Sequence, residues 1–254
     1  MKLALLWPLA LLAGDDFDYY APRPSKSPTA THPAAILIHG GALVAGSSKD
    51  PDQVERARLL TAAGYAVFAV NYRLAPQHPY PAALDDVRNA ARHIRLHARQ
   101  WAVDPKRIAL VGVEAGGYLA SLAAVSPGVD VQAVVSFSAP GDLRGWPVSA
   151  ELRGFLAPLI DARGLDGALA EASPVMHIRP DAPPFLLLHG DADKVVPVVQ
   201  ATHWQNALQA AGVPCNLILI DGGGHDAGSW AAVRDWETEM LAWLAAALGG
   251  RRGR

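Results

Sequence analysis

A single cysteine, Cys215, stands in a chain of 254 residues. No intrachain disulfide can form, so the fold must be held by its core. Cys215 opens an apolar, strand-like run and is expected to act as a small buried hydrophobe. Charge is scarce and balanced: 18% of residues are charged, with 22 Lys and Arg against 24 Asp and Glu, for a formal net charge of -2. Apart from the short tail Arg251-Arg252-Gly253-Arg254 there is no basic stripe, so a nucleic-acid partner is not expected. Uninterrupted apolar runs of membrane-spanning length are missing too, and stable membrane insertion is not expected. The apolar run Leu3 to Ala13 follows Met1-Lys2 and ends at Gly14-Asp15-Asp16. It is too short to span a bilayer as a helix, but it has the make-up of a secretory signal peptide. Export is the expectation if it is one, and a cytoplasmic location otherwise. No feature bears on oligomeric state.

What the chain does have is apolar surface to bury. Half of it is hydrophobic, 51%, and its length is near the upper size of one domain. Residues 15–250 are expected to form that domain. Pro22, Pro24, Pro28 and Pro33 mark an early surface loop. Short apolar runs then read as buried strands: Ala34 to His39, Tyr65 to Asn71, Arg107 to Val111, Val131 to Phe137, Pro184 to His189 and Asn216 to Ile220. Longer amphipathic runs between them read as helices: Pro51 to Ala63, Ala82 to Trp101, Ala115 to Val125, Val198 to Ala211 and Ser229 to Leu248. This alternation predicts an α/β fold with a mostly parallel central sheet flanked by helices on both faces. The long connection after Phe137 predicts a small helical cap, around residues 142–172, over the carboxyl ends of the strands.

One further residue is missing. Gly112-Val113-Glu114-Ala115-Gly116 has the glycines and the strand–turn–helix setting of a G-x-S-x-G nucleophile elbow, with glutamate where the serine belongs. Three other segments end predicted strands at the same sheet edge, where open α/β sheets bind ligands. His39-Gly40-Gly41-Ala42 has the glycines that let backbone N–H groups approach a ligand, as an oxyanion hole requires. His189-Gly190-Asp191-Ala192-Asp193 offers a carboxylate that could orient a histidine, Asp191 reading rather as a turn former. Gly222-Gly223-Gly224-His225-Asp226 supplies the histidine. The order nucleophile, acid, histidine is that of the α/β-hydrolase triad. No metal site is expected: His93 and His97 lie one helical turn apart, but Arg92, Arg95 and Arg99 make that a basic, solvated face.

These motifs resemble the α/β-hydrolases of the bacterial carboxylesterase group related to hormone-sensitive lipase, especially the smaller carboxylesterase and feruloyl-type members. The run Asn71-Tyr72-Arg73-Leu74-Ala75-Pro76-Gln77-His78-Pro79-Tyr80-Pro81 is the most group-specific stretch, and the likeness spans roughly residues 30 to 245. The resemblance implies His225 as general base and Asp193 as its orienting acid. It implies an oxyanion hole from the N–H groups of Gly40, Gly41 and Ala115. Arg73 with Asp85 or Asp86, and also His78, would be structural. It implies a small-molecule ester substrate and no cofactor. Two departures stand out: Ala42 replaces the third glycine of the usual HGGG, and Glu114 replaces the nucleophile.

A carboxylate is already ionised, but at an acyl centre it is a poorer nucleophile than an alkoxide, and the adduct would expel it preferentially. Glutamate is also two atoms longer than serine, so its carboxylate could reach the oxyanion hole or pair with His225. Three readings follow. The chain is an ester hydrolase with the constellation Glu114, Asp193 and His225. Or it is a ligand-binding protein with an inactive elbow, natural or engineered. Or Glu114 attacks an epoxide or alkyl halide; Leu143 to Ala172 lacks the tyrosine that would polarise an epoxide oxygen. For the substrate pocket Ala42, Leu43, Trp146, Phe155 and Leu156 are the candidate lining residues, with Leu152 as a further apolar wall.

Overall fold

The structure, a computed structural model, describes residues 17–23 and 30–249. The signal-like segment and the basic tail lie outside the described residues. Seven strands form one sheet: β1 (Phe17–Tyr20), β2 (His32–Ile38), β3 (Ala66–Val70), β4 (Val103–Val113), β5 (Ala133–Phe137), β6 (Phe185–Gly190) and β7 (Cys215–Ile220). Their order is β1-β3-β2-β4-β5-β6-β7. All pairings are parallel except β1 with β3, where Phe17 faces Val70. The helices are α1 (Pro51–Ala62), α2 (Ala82–Leu96), α3 (Ala115–Val125), α4 (Ala150–Ala172), α5 (Val199–Ala210) and α6 (Trp236–Leu248).

Strand periodicity divides the core in two. Ala34, Ile36 and Ile38 of β2 point to the face covered by α2, α3 and α5, together with Phe68 and Leu110. Ala35 and Leu37 point to the other face, against Ala57 and Leu60 of α1 and Trp236, Met240, Leu244 and Leu248 of α6. Each such Leu or Ile contributes about 1.5–3 kcal/mol by leaving water. That is why the strands read as continuous apolar runs rather than alternating ones. Cys215 is buried at the start of β7, and burial pushes its thiol up to about 12.

Several boundaries differ from the sequence reading. β1 was not expected; four residues with three aromatics, FDYY, gain their place only by pairing with β3. The expected helix from Ala82 to Trp101 ends at Leu96 and continues as a short 3-10 turn, Ala98–Trp101, closed by Ala102 in the left-handed region. The helix expected from Ser229 starts at Trp236, where the Asp235 side chain accepts from Thr238 N–H at 3.2 Å. In the cap, α4 is broken at Gly164 (φ 71°, ψ 171°).

All eleven residues of α3 are buried, and the helix runs hard against the sheet. An added Cβ at Gly116 would lie 2.1 Å from the Ile38 carbonyl oxygen. Gly154 in α4 is the opposite case, its nearest neighbour being Pro76 Cβ at an ordinary 3.6 Å. Gly116→Ala is therefore expected to destabilise the protein by about 3 kcal/mol or more. Gly154→Ala is expected to stabilise it by about 0.5–1 kcal/mol through helix propensity. Urea unfolding midpoints of the two variants check both signs.

Candidate active site

The sheet is parallel from β3 to β7, so the carboxyl ends of β2, β4, β6 and β7 lie along one edge. The chain passes from β2 to β3 on one side and then to β4 on the other. The switch between β2 and β4 is where such sheets open a crevice. His39-Gly40-Gly41 leaves β2 on one side of it and Glu114 leaves β4 on the other.

Glu114 turns the chain from β4 into α3 with φ 52° and ψ -114°. A side chain in this region costs of order 1–3 kcal/mol. The turn is closed by Glu114 N–H donating to the Phe137 carbonyl (2.8 Å) and Tyr118 N–H donating to the Glu114 carbonyl (2.9 Å). Gly112 has to be glycine, since a Cβ there would sit 2.2 Å from the Gly116 oxygen. The Glu114 side chain folds back over the crevice. Its Oε2 accepts from Gly41 N–H at 2.5 Å, and both oxygens accept from Ala42 N–H, at 3.1 and 3.0 Å. It makes no ion pair with His225 within 4 Å. The carboxylate thus occupies an anion hole built from backbone donors.

The oxyanion-hole donors expected from the resemblance are Gly40, Gly41 and Ala115. The N–H groups that meet the carboxylate from the first loop are those of Gly41 and Ala42, not those of Gly40 and Gly41. Gly40 contributes its carbonyl, which accepts from His39 Nδ1–H at 2.7 Å and lies 3.2 Å from the Tyr72 hydroxyl. Ala115 is in place at the start of α3 beside the carboxylate, though it makes no hydrogen bond to it. Gly41, Ala42 and Leu43 are consecutively left-handed, at φ 106°, 53° and 69°. That backbone is where the third glycine of an HGGG motif would relieve strain. The loop is clamped from beneath by Tyr72, which stacks on His39 with ring centroids 4.1 Å apart.

His225 lies in the loop after β7, and its Nδ1 is 2.8 Å from Asp193 Oδ2. The other carboxylate oxygen, Oδ1, accepts from Val195 N–H (2.8 Å) and Val196 N–H (2.9 Å). The Asp193 side chain is fully buried, while that of His225 is 28% exposed. Nδ1–H of His225 is therefore the donor, and Nε2 is the ring nitrogen left for chemistry. Asp191 does what a turn former does: its Oδ1 accepts from Gly222 N–H at 2.8 Å. His189 is close to the same acid, with Nε2 3.4 Å from Asp193 Oδ2. That nitrogen is spent donating to the Val196 carbonyl at 2.8 Å, and burial lowers the pKa of the ring. Arg73 is paired bidentately with the fully buried Asp86 at 2.8–3.1 Å, and Asp85 instead faces Arg88.

Two cavities meet at Glu114. One, of about 360 Å³, is mixed in character; the charged or polar side chains of Arg56, His225, Asp226 and Glu237 are among its lining, with Gly40 and Gly41. The other, of about 550 Å³, is mostly apolar and reaches under the cap. Ala42, Leu43, Trp146 and Leu152 line it. Phe155 and Leu156 do not; they turn inward and are 1% and 0% exposed in the core, with Phe155 packed edge-on against Tyr80. Tyr118, Val195, Val196, Pro197 and Gln200 also line the cavity. The acid loop and the face of α3 could have been nominated from their position after β6 and the elbow, but their facing needs the fold.

The BD-FAE family model matches residues 17–208. The chain belongs to the BD-FAE family. Among curated relatives of this BD-FAE chain are "Probable carboxylic ester hydrolase LipM" and "Esterase LipC" of Mycobacterium tuberculosis. They are 32% and 31% identical over 74% and 80% of this chain. The chain spans about half the length of these relatives, 47% and 55%. A solved structure described as a truncated form of carbohydrate esterase from gut microbiota matches with a TM-score of 0.82. It is 26% identical, with 94% of this chain and 93% of that one covered. The fold is that of the α/β-hydrolases, as the strand order and the motifs together imply. Among the described residues no helix is long and apolar enough to cross a membrane.

Two outcomes follow from this geometry. Asp193→Asn removes a buried carboxylate that holds the imidazole, whereas Asp191→Asn alters an exposed turn. In a chain with measurable hydrolysis, the first is expected to lower kcat by about 10³-fold or more and the second by less than about threefold. Steady-state rates on a short p-nitrophenyl ester check the ranking. Burial also lowers the pKa of His39, so both it and His189 resist protonation in the folded state. The unfolded chain takes up those protons below its ordinary value near 6.5. Stability is therefore full above that pH and falls as the pH drops through 6.5 towards the depressed folded values. The urea midpoint is expected to be lower at pH 5.5 than at pH 7.5, and less so in His189→Gln.

Proposed function

We propose that the chain is a carboxylic-ester hydrolase of the esterase type, acting on a small-molecule ester, with Glu114, Asp193 and His225 as its constellation. The observation that carries this reading is the His225–Asp193 pair at 2.8 Å, its free Nε2 beside an anion hole of preset N–H donors. A buried acid, an oriented imidazole and a backbone hole serve acyl transfer. Together they support the coarse reading that the esterase relatives also favour.

With glutamate at the elbow the cycle is impeded at its first step. The carboxylate fills the hole that should receive the carbonyl oxygen of the substrate. Its attack on an ester would give an acyl anhydride, and the tetrahedral adduct would return the carboxylate sooner than the alkoxide. Base-assisted attack by water through His225 Nε2 remains open, at a rate limited by how often Glu114 leaves Gly41 and Ala42. With serine there, Oγ attacks the carbonyl carbon while His225 Nε2 takes its proton. The oxyanion accepts from Gly41, Ala42 and Ala115. His225 then gives the proton to the departing alcohol, and water repeats the sequence to release the acid.

The occupied hole also favours a second reading, a ligand-binding protein that keeps the pocket without turnover. Attack by Glu114 on an epoxide is disfavoured by Tyr118, the tyrosine of the apolar cavity. Its hydroxyl is buried and donates to the Ala172 carbonyl at 2.8 Å.

The expected outcome is very low native hydrolysis of p-nitrophenyl acetate and butyrate, with Glu114→Ser raising kcat by about 10⁴- to 10⁶-fold. A serine variant that folds and gains nothing refutes the esterase reading and leaves the binding one. Ordinary native rates with a mass adduct on the Glu114 peptide after quenching would make the carboxylate a working nucleophile.

A further inference from the structure

One wall of the apolar cavity comes from the connection between β5 and the cap helix. Between β5 and α4 the chain runs as a loop, and Pro140, Leu143, Gly145, Trp146 and Pro147 from it line the cavity. A loop of this kind keeps a fixed shape only if its backbone groups find partners. Here one side chain of α5 supplies three. Gln200 Oε1 accepts from Gly141 N–H at 3.1 Å and from Asp142 N–H at 3.0 Å, and Gln200 Nε2 donates to the Asp142 carbonyl at 2.9 Å. A primary amide offers an N–H donor and a carbonyl acceptor side by side, so it replaces the edge of a neighbouring strand.

The loop is gripped on its other groups as well. The Asp142 carboxylate accepts from Arg144 N–H, Nε and Nη2 at 2.9, 3.0 and 2.8 Å, with His203 Nε2 3.3 Å away. Leu143 N–H donates to Ser173 Oγ at 2.8 Å. Gly141 lies so close to α5 that a Cβ would be 2.6 Å from Trp204 Cβ. Beyond Arg144 the bracing ends: Gly145 is left-handed at φ 72°, and Trp146 N–H reaches only back to the Leu143 carbonyl at 3.2 Å. The depth of the cavity at Leu143 and Trp146 is thus set by the bracket at Gly141 and Asp142. Gln200 itself lines the same cavity.

We propose that Gln200, acting with Asp142, is the positioning residue that fixes the wall of the apolar cavity and so selects the length of the substrate's acyl chain. This rests on the esterase reading for its catalytic consequence, but the cavity can also be tested without turnover. In Glu114→Ser, Gln200→Ala is added as the second change and the readout is selectivity between p-nitrophenyl esters. Gln200→Ala is expected to lower the ratio of hexanoate to acetate kcat/KM by about tenfold, of the size a misplaced apolar wall costs. Gln200→Glu keeps both acceptor bonds and should retain most of that ratio. An unchanged ratio, or an equal loss at every chain length, overturns the proposal.

The second arm uses Glu114→Ala, whose vacated N–H groups can take a free carboxylate. Calorimetric titration with butyrate and hexanoate should show tighter binding of hexanoate, and Gln200→Ala should abolish most of the difference. An unchanged difference, or no binding of hexanoate to the parent, overturns the assignment whether or not the serine variant hydrolyses esters. Should Gln200→Ala fail to fold, Asp142→Asn is expected to shift both measurements in the same direction by a smaller amount. No shift in that variant overturns the proposal.

Discussion

The left-handed turn at Glu114 is the constraint on which the site depends. A residue at φ 52° between a strand and a helix is held because Gly112 and Gly116, two residues away on either side, pack too closely for a side chain and both flanking peptide groups are bonded. The strain lifts the side chain above the sheet and aims it across the crevice at the β2 loop. What stands at that tip is aimed at Gly41 and Ala42 whatever its chemistry. A serine there would stop short of the donors and leave space for a carbonyl oxygen. Glutamate, two atoms longer, reaches them and becomes their ligand. The same scaffold therefore yields a poised site or a self-occupied one according to side-chain length alone.

That length argument was legible in the sequence, because it needs only the elbow motif and bond geometry. So were the parallel sheet, from its unbroken apolar strands, and the choice of Asp193 over Asp191, from the turn chemistry of the latter. The cap was legible in outline but not in facing. Phe155 and Leu156 are apolar and lie in the right segment, yet α4 turns them into the core. A weak helical period, broken at Gly164, does not tell which side faces the cavity. That Ala42 rather than Gly40 meets the Glu114 carboxylate was not legible, for a similar reason. Three successive left-handed residues rotate the peptide planes, and no propensity predicts that for Ala42 and Leu43. The edge strand β1 was missed because its order comes from a partner fifty residues away, not from its own pattern.

Polarity is partitioned around Glu114 in a way neither cavity shows alone. Carboxylates and Arg56 gather on the His225 side, and aliphatic and aromatic groups gather under the cap. A molecule with one polar and one apolar half would lie with its junction at the elbow. Esters of apolar acids with polar alcohols have that form, which agrees with the chemistry proposed from the triad.

The buried cysteine has a practical consequence. Enclosed at the root of β7, with burial pushing its thiol up to about 12, Cys215 is expected to react slowly with alkylating reagents at neutral pH. The chain therefore has a low thiol background. A cysteine installed at Val195 or Val199, both exposed at the mouth of the apolar cavity, would be the fast-reacting handle on the molecule. A fluorophore or spin label there would report directly on the entrance, with no need to engineer the native cysteine away.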